Sequence, residues 1–227
     1  MKITWLGHSG FKIEIAGETL LIDPFLTGNP VFPQERKAEA VEGVTAILVS
    51  HGHGDHVGDV IDTAKAGGLP VYTMVELAGW LGTKGVEKVT GFNKGGTVSI
   101  GDVQVTLVHA VHSSSNPEGG YAGGEAGFMI SGEGHTIYFS GDTDVMADMK
   151  VFNDLHAPDI GLLCCGGFYT MDMRRAAYAA KTFFDFKTLI PCHYRTFPVL
   201  AQSAQELIDA LPDVNVVEPE VLKPIEL

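Results

Sequence analysis

Short β-type runs of hydrophobic positions come before any helix in this chain. Ile3 to Leu6, Phe11 to Ile15 and Thr19 to Ile22 alternate or run apolar between glycine-containing turns, which predicts three strands. Thr45 to Val49 is an apolar, β-branched run typical of a buried strand, and it stops abruptly at Ser50-His51-Gly52-His53. From about Val57 to Ala66 the spacing turns helical. Pro70 to Thr73 reads as strand again, and Val75 to Leu81 as a short helix. In the second half, Thr97 to Ile100, Val103 to Val108, Gly127 to Ile130, Thr136 to Phe139 and Ile160 to Cys164 are predicted strands. Met171 to Phe184 is the best helix, with Ala176, Ala177, Ala179 and Ala180 supplying propensity. Thr188 to Pro191 is a further strand and Ser203 to Leu211 a closing helix.

Antiparallel runs of strands with helices mixed in predict an α/β protein: two mixed sheets packed face to face, with helices outside. Periodicity alone leaves the topology open. No linker, low-complexity segment or short-period repeat divides the 227 residues, which are read as one domain over 1–227.

Charge narrows the partners. Lys and Arg number 15 against 28 Asp and Glu, a formal net charge of −13. Such a field repels phosphate backbones, so no nucleic-acid partner is expected. The longest apolar run is far short of the ~20 residues of a membrane span. The N-terminus enters a strand at once, without the basic and apolar regions of a signal peptide. The expectation is a cytoplasmic protein with no membrane partner and a small-molecule substrate. The pattern leaves homo-oligomerisation open. Cys164, Cys165 and Cys192 lie in apolar runs and read as buried small hydrophobes, since an odd count without framework spacing argues against a disulfide scaffold.

The strongest chemical signal is His51-Gly52-His53-Gly54-Asp55-His56. Three histidines and an aspartate fall within six residues, directly after a buried strand. The glycines let the backbone turn sharply enough for the side chains to converge. Imidazole and carboxylate are the donors that borderline metals such as zinc take. Histidine is otherwise sparse, nine in the chain. Further ligand-type residues follow predicted strands: Asp142 after Thr136 to Phe139, His193 after Thr188 to Ile190, and His112 shortly after Val103 to Val108. Beside His193, Cys192 competes as a ligand. If strand alternation continues there, the two point to opposite faces, with His193 toward the metals and Cys192 toward the core.

His51-x-His53-x-Asp55-His56, followed in order by His112, Asp142 and His193, resembles the metallo-β-lactamase superfamily signature over essentially the full chain. The closest likeness is to a bacterial family of metal-dependent hydrolases related to the ascorbate-phosphate lactonases. It is carried by Leu6-Gly7-His8-Ser9, Ile22-Asp23-Pro24-Phe25, Gly141-Asp142-Thr143, Gly166 to Met171 and Pro191-Cys192-His193-Tyr194. The resemblance implies an αββα four-layer sandwich with the site at one edge of the sheets. It implies that His51, His53 and His112 bind one metal, that Asp55, His56 and His193 bind the other, and that Asp142 bridges them. His109 competes with His112 for its place; the Ser113-Ser114-Ser115 run after His112 favours the latter. Asp23 resembles the superfamily's structural aspartate, which orients the ligand loop by hydrogen bonds. Zinc is the first expectation for the two divalent ions; manganese, iron and nickel accept the same donors.

Two cations ~3.5–4 Å apart can share a hydroxide and lower its pKa toward neutrality. Asp55 and Asp142 are therefore expected in the catalytic apparatus. For His8, in its Gly-His-Ser turn, a catalytic role as leaving-group acid and a structural role both stand. Ser113 to Gly124, polar and glycine-rich, is either a mobile cover or a plain connection. Phe168, Tyr169, Tyr194 and Arg195 lie just beyond strand ends and are candidates to line the pocket; Arg195 is either an anion binder or, by default, an ordinary surface arginine. The leading expectation is a hydrolase of a small ester or lactone. A phosphodiesterase is the runner-up. A metal-stabilised binding or sensor protein is the non-enzymatic alternative, but seven ligands over two metals leave positions open to water, as structural sites do not.

Overall fold

The computed structural model describes residues 1–227. Fourteen strands form two seven-stranded mixed sheets, packed face to face with helices outside, as the αββα expectation required. The first sheet holds β1 (Lys2–Gly7), β2 (Gly10–Ile15), β3 (Glu18–Ile22), β4 (Ala46–Leu48), β5 (Val71–Met74) and β6 (Val89–Phe92) in that spatial order, with β14 (Pro224–Glu226) returning to pair with β1. The second runs β7 (Thr97–Ile100), β8 (Val103–His109), β9 (Ala126–Gly132), β10 (His135–Phe139), β11 (Ile160–Cys164), β12 (Thr188–Cys192) and β13 (Asn215–Val216). Each sheet is antiparallel on one side and parallel on the other: β1–β3 and β7–β10 are meanders, whereas β3–β6 and β10–β13 pair parallel.

Burial explains why some strands were visible in the pattern. β4 and β11 are buried at every residue, as parallel strands covered on both faces are. Between the sheets Phe11 meets Phe139 edge-on, 6.2 Å between ring centroids, and Phe139 stacks on Phe128. These rings belong to one contiguous cluster of 61 buried apolar residues. The three cysteines lie in it as free thiols, their pKa values pushed up first by burial.

The helices are α1 (Lys37–Val41), α2 (Gly54–Val57), α3 (Val60–Gly67), α4 (Val75–Thr83), α5 (Asp148–His156), α6 (Met173–Phe183) and α7 (Gln205–Ala210), and none is long and apolar enough to cross a membrane. Two boundaries differ from the expected ones for local reasons. The helix expected over Val57 to Ala66 is broken between α2 and α3 because the Asp59 amide donates to Pro24 O, outside the helix. The Asp59 carboxylate meanwhile accepts from Leu26 N, Thr27 N and Thr27 Oγ1, fastening α2 to the loop after β3. The alanine-rich helix starts at Met173, not Met171, because Asp172 is its N-cap, accepting from Arg175 N at 2.8 Å.

Ser113 to Gly124 is anchored at Ser114, Asn116 and Ala122, with Pro117 to Gly119 and Tyr121 exposed between the anchors. Ser115 bridges Tyr121, Asn116 Oδ1 accepts from Glu118 N and Gly120 N, and Ala122 is fully buried against the histidine loop. Gly52 donates its amide to Ser114 Oγ. A Cβ on Gly52 would stand 2.6 Å from Ala122 Cβ and 2.8 Å from Ser115 O. Gly52→Ala is therefore expected to cost about 1–3 kcal/mol by overpacking, read as a lower urea midpoint at unchanged m-value. An unchanged midpoint would mean that the segment yields freely.

Candidate metal centre

The C-terminal ends of β1, β3, β4, β8, β10 and β12 lead into the loops that carry the predicted site residues. At several of these ends the chain turns through the left-handed region. His8 has φ +56°, Asp23 +44° and His193 +54°, and Gly141, just before Asp142, has +59°. A Cβ on Gly141 would lie 2.3 Å from Ala126 O, so only glycine fits there. Left-handed non-glycine residues are strained and concentrate where surrounding structure over-determines them. The turn at His193 also corrects the reason for its direction. β12 ends at Cys192, which is buried in the core, and the positive φ, not strand alternation, swings His193 to the site.

The side chains converge in two groups. His51, His53 and His112 bring donor atoms within 4.8 Å of one another, as do Asp55, His56, His193 and His8. Asp142 stands between them. Its Oδ2 lies 3.0 Å from His193 Nε2, 3.3 Å from His56 Nε2, 3.6 Å from His112 Nε2 and 4.0 Å from His51 Nε2. His51 Nε2 faces His53 Nδ1 at 3.0 Å.

A hydrogen-bond network fixes which ring nitrogens point inward. Asp23, fully buried, accepts from Ser50 N and Ser50 Oγ and from His56 Nδ1 at 2.7 Å. Ser50 Oγ, having given its proton to Asp23, can accept from His51 Nδ1 at 3.0 Å. Both imidazoles then point Nε2 toward Asp142. His56 Nε2 and Asp142 Oδ1 are buried and make no hydrogen bond. Buried polar atoms are rarely left unpartnered, and converging imidazole and carboxylate donors are the set a divalent cation satisfies. The residues present thus fit metal ions.

Protein groups alone set the following protonation preferences. Burial opposes ionisation of Asp142, but His193 and His56 hold its carboxyl well below the usual range. Burial likewise works against Asp55, outweighed by His56 and by the hydrogen bond from His8. Burial and the neighbouring His56 hold His51 well below the usual histidine value, and burial lowers His112. These are the deprotonated forms that metal ligands need. His56 is the exception: burial disfavours its charge, yet Asp142, Asp55 and Asp23 raise it well above the ordinary value, so a cation there would displace a proton.

His8 is fully buried behind Asp55. Its Nε2 lies 2.9 Å from Asp55 Oδ2 and its Nδ1 2.6 Å from Thr196 Oγ1. Burial and His193 lower its pKa to about 4. A cavity of about 360 Å³ opens over the cluster, lined by His53, Asp55, His112, Ser113, Asp142, Tyr169, His193 and Phe197. His109 takes no part in it: half-exposed, it pairs with Asp148 Oδ2 at 2.9 Å, so it faces neither the core nor the ligands. Arg195 does not reach the cavity either. Its guanidinium lies over the Trp5 and Tyr194 rings and within 3.9 Å of Glu218, and Tyr194 is buried against Trp5. Phe197 was missed because it belongs to no periodic run. The only local signal is the turn marked by Pro198.

Residues 18–194 match the model of the beta-lactamase superfamily domain. The chain belongs to the metallo-β-lactamase superfamily. Within it, the chain is 64% identical over its whole length, and the relative's, to a UPF0173 metal-dependent hydrolase of Dinoroseobacter shibae, and 57% identical to one of Paracoccus denitrificans. It is thus a metal-dependent hydrolase of this superfamily. Among solved structures it is similar to Igni18, a metallo hydrolase of the archaeon Ignicoccus hospitalis, with TM-score 0.86 and 29% identity, covering 100% of this chain and 98% of that one.

Removing Asp23 from this superfamily scaffold strands two donors and the His56 charge in the core. Asp23→Ala is expected to lower stability by about 2–4 kcal/mol, whereas His109→Ala, at the exposed Asp148 pair, changes it by less than about 0.5 kcal/mol. Paired urea titrations read the contrast; equal losses would remove the role given to Asp23.

Proposed function

We propose that this protein is a dinuclear metal hydrolase acting on a small ester or lactone. The observation that carries the reading is Asp142 Oδ2, set between two donor groups. His51, His53 and His112 would hold one ion, Asp55, His56 and His193 the other, and Asp142 would bridge them. Zinc is the first choice by donor chemistry, with manganese, iron or nickel as alternatives. In this reading residues 1–227 form a single hydrolase domain, working in the cytoplasm.

Bound divalent cations would polarise the scissile carbonyl and acidify a water. The chain's own groups do the rest. His8, neutral and tied to Thr196, donates to Asp55 and holds that carboxylate in place. We assign His8 this positioning role because it does not reach the cavity. Ser113 and Tyr169 carry the only wall protons outside the proposed ligand set, so the leaving group takes its proton from one of their hydroxyls or from solvent. Without Arg195, no lysine or arginine lines the cavity to anchor a phosphate or carboxylate. Small neutral esters and lactones therefore rank ahead of phosphorylated or carboxylated ones.

Two experiments test this reading. Elemental analysis of protein isolated without chelator is expected to give close to two ions per chain. Asp142→Ala should lose at least one ion and nearly all hydrolysis while keeping its circular dichroism. His112→Ala should weaken metal binding by more than the ~10–100-fold expected of an orienting residue, and His109→Ala should not. A fully loaded, active Asp142→Ala protein would remove the bridge. Separately, kcat/KM for small lactones, aryl esters, bis-aryl phosphodiesters and oligonucleotides is compared at equal metal loading. A phosphodiester preferred by more than about tenfold, roughly 1.4 kcal/mol of transition-state stabilisation, would make phosphodiesterase the better reading.

A further inference from the structure

The turn after β11 carries an aromatic pair that the fold does not use. Gly166, Gly167, Phe168 and Tyr169 follow Cys165, the first residue beyond the buried strand. Phe168 is 75% exposed and Tyr169 53% exposed, their rings meeting edge-on at 4.8 Å. Phe168 also holds φ +61°, a conformation costly for a bulky side chain. The conformation is imposed by its surroundings: Gly167 N donates to Met171 O, Tyr169 N to Gly167 O, and Gly166 abuts His193 O so closely that a Cβ would stand 1.9 Å away. The turn is thereby packed directly against the backbone of His193. Strain that presents a phenyl ring to water brings the fold nothing, and such strain concentrates at ligand-binding sites.

The pair is continuous with the catalytic cavity. Tyr169 and Phe197 both line it, and Phe197 packs on His8 and toward Phe25. Away from the proposed ligands, the only other wall side chain is Ser113, so the rim offers aromatic faces and two hydroxyls but no cation. A flat apolar group seated on Tyr169 and Phe168 at the cavity that Phe197 also lines would find offset or edge contacts of the kind aromatic rings favour. A carboxylate or phosphate there would find no partner.

Resting on the ester or lactone reading above, we propose that Phe168, Tyr169 and Phe197 form a subsite for an uncharged aromatic or bulky apolar group of the substrate. The substrate class is then a neutral ester or lactone bearing such a group beside the reacting carbonyl.

The test uses full-length metal-loaded protein and a matched series sharing one reacting ester, bearing methyl, benzyl or carboxymethyl groups. The benzyl member is expected to exceed the methyl member in kcat/KM by about tenfold or more, in line with hydrophobic discrimination in a pocket, and the carboxymethyl member to be poorest. Phe168→Ala and Tyr169→Ala should shrink the benzyl-to-methyl ratio at least fivefold, and Tyr169→Phe should retain it. Calorimetry with the non-hydrolysable benzyl and methyl ethers keeps the subsite separate from the chemistry. If the benzyl ether binds better but no ester turns over, the reaction class fails and the subsite stands. If the benzyl ether binds no better than the methyl ether, or the ratio survives both alanine variants, the subsite proposal falls. Sedimentation of the variants provides a further outcome: a change in mass with unchanged discrimination would make the pair a contact between copies of this chain, and would also overturn it.

Discussion

A carboxylate buried among four imidazoles is the constraint on which the rest of this structure depends. Asp142 is almost wholly removed from water, and the nearest charge-bearing groups are His193, His56, His112 and His51. Water cannot stabilise its charge there, and burying an unpaired carboxylate is expensive. The imidazoles do not resolve this alone, because close histidines oppose one another's protonation: His51 is held neutral partly by His56. Cations shared by several donors satisfy all of them together. The surrounding loops can be understood as devices for keeping these mutually unfavourable groups in place until that happens.

The most important device is Asp23. From a left-handed turn after β3 it reaches the first polar residue after β4 and the Nδ1 of His56 in α2. One buried carboxylate thus joins a strand end, the histidine loop and a helix. Asp59 repeats the arrangement one layer out, tying α2 to the chain after Phe25. Neither residue needs to touch substrate. Asp59 holds the segment in place, while Asp23 decides which nitrogen of His56 points inward, and that decision sits in the register of β3 against β4, where Ile22 pairs with Leu48.

Much of this was legible in the sequence, for reasons that also mark the boundary of what was not. The strands β4 and β11 are buried on both faces, so their apolar runs were unmistakable. The ligand-type residues stand out because histidine is rare and each follows such a run. The elements that escaped have weak patterns: β6 is half-exposed, β13 and β14 are two- and three-residue edges, and α5 carries only Met149 and Phe152 inward. Within the site, sequence could bring His112 and His109 near one position but could not say which way each pointed. The chain leaves β8 at His109, and three more residues carry His112 back over the sheet edge. For Arg195, just beyond a strand end, sequence left an anion binder and an ordinary surface arginine both open, because the direction of a turn residue leaves no mark on the pattern. A second left-handed residue, φ +66° at Arg195 itself, turns the guanidinium away onto Trp5.

The same turns bear on how the site can discriminate between substrates. A site covered by a mobile lid can delay choosing until closure, with specificity arising from what the lid then contacts. Here the segment best placed to be a lid, Ser113 to Gly124, is packed through Ala122 against the histidine loop and bonded through Ser114 to Gly52. The turn that carries Tyr169 is held by Gly166 against the His193 carbonyl. Moving either segment would disturb the backbone that aims a proposed ligand, so both are bound to the geometry of the metal centre. Selection between substrates then falls to fixed surfaces already present around the cavity: the Ser113 hydroxyl and the rings of Tyr169 and Phe197. On the subsite proposed above, a rim of that composition would favour what is flat and uncharged, since it already presents two aromatic faces and no cation.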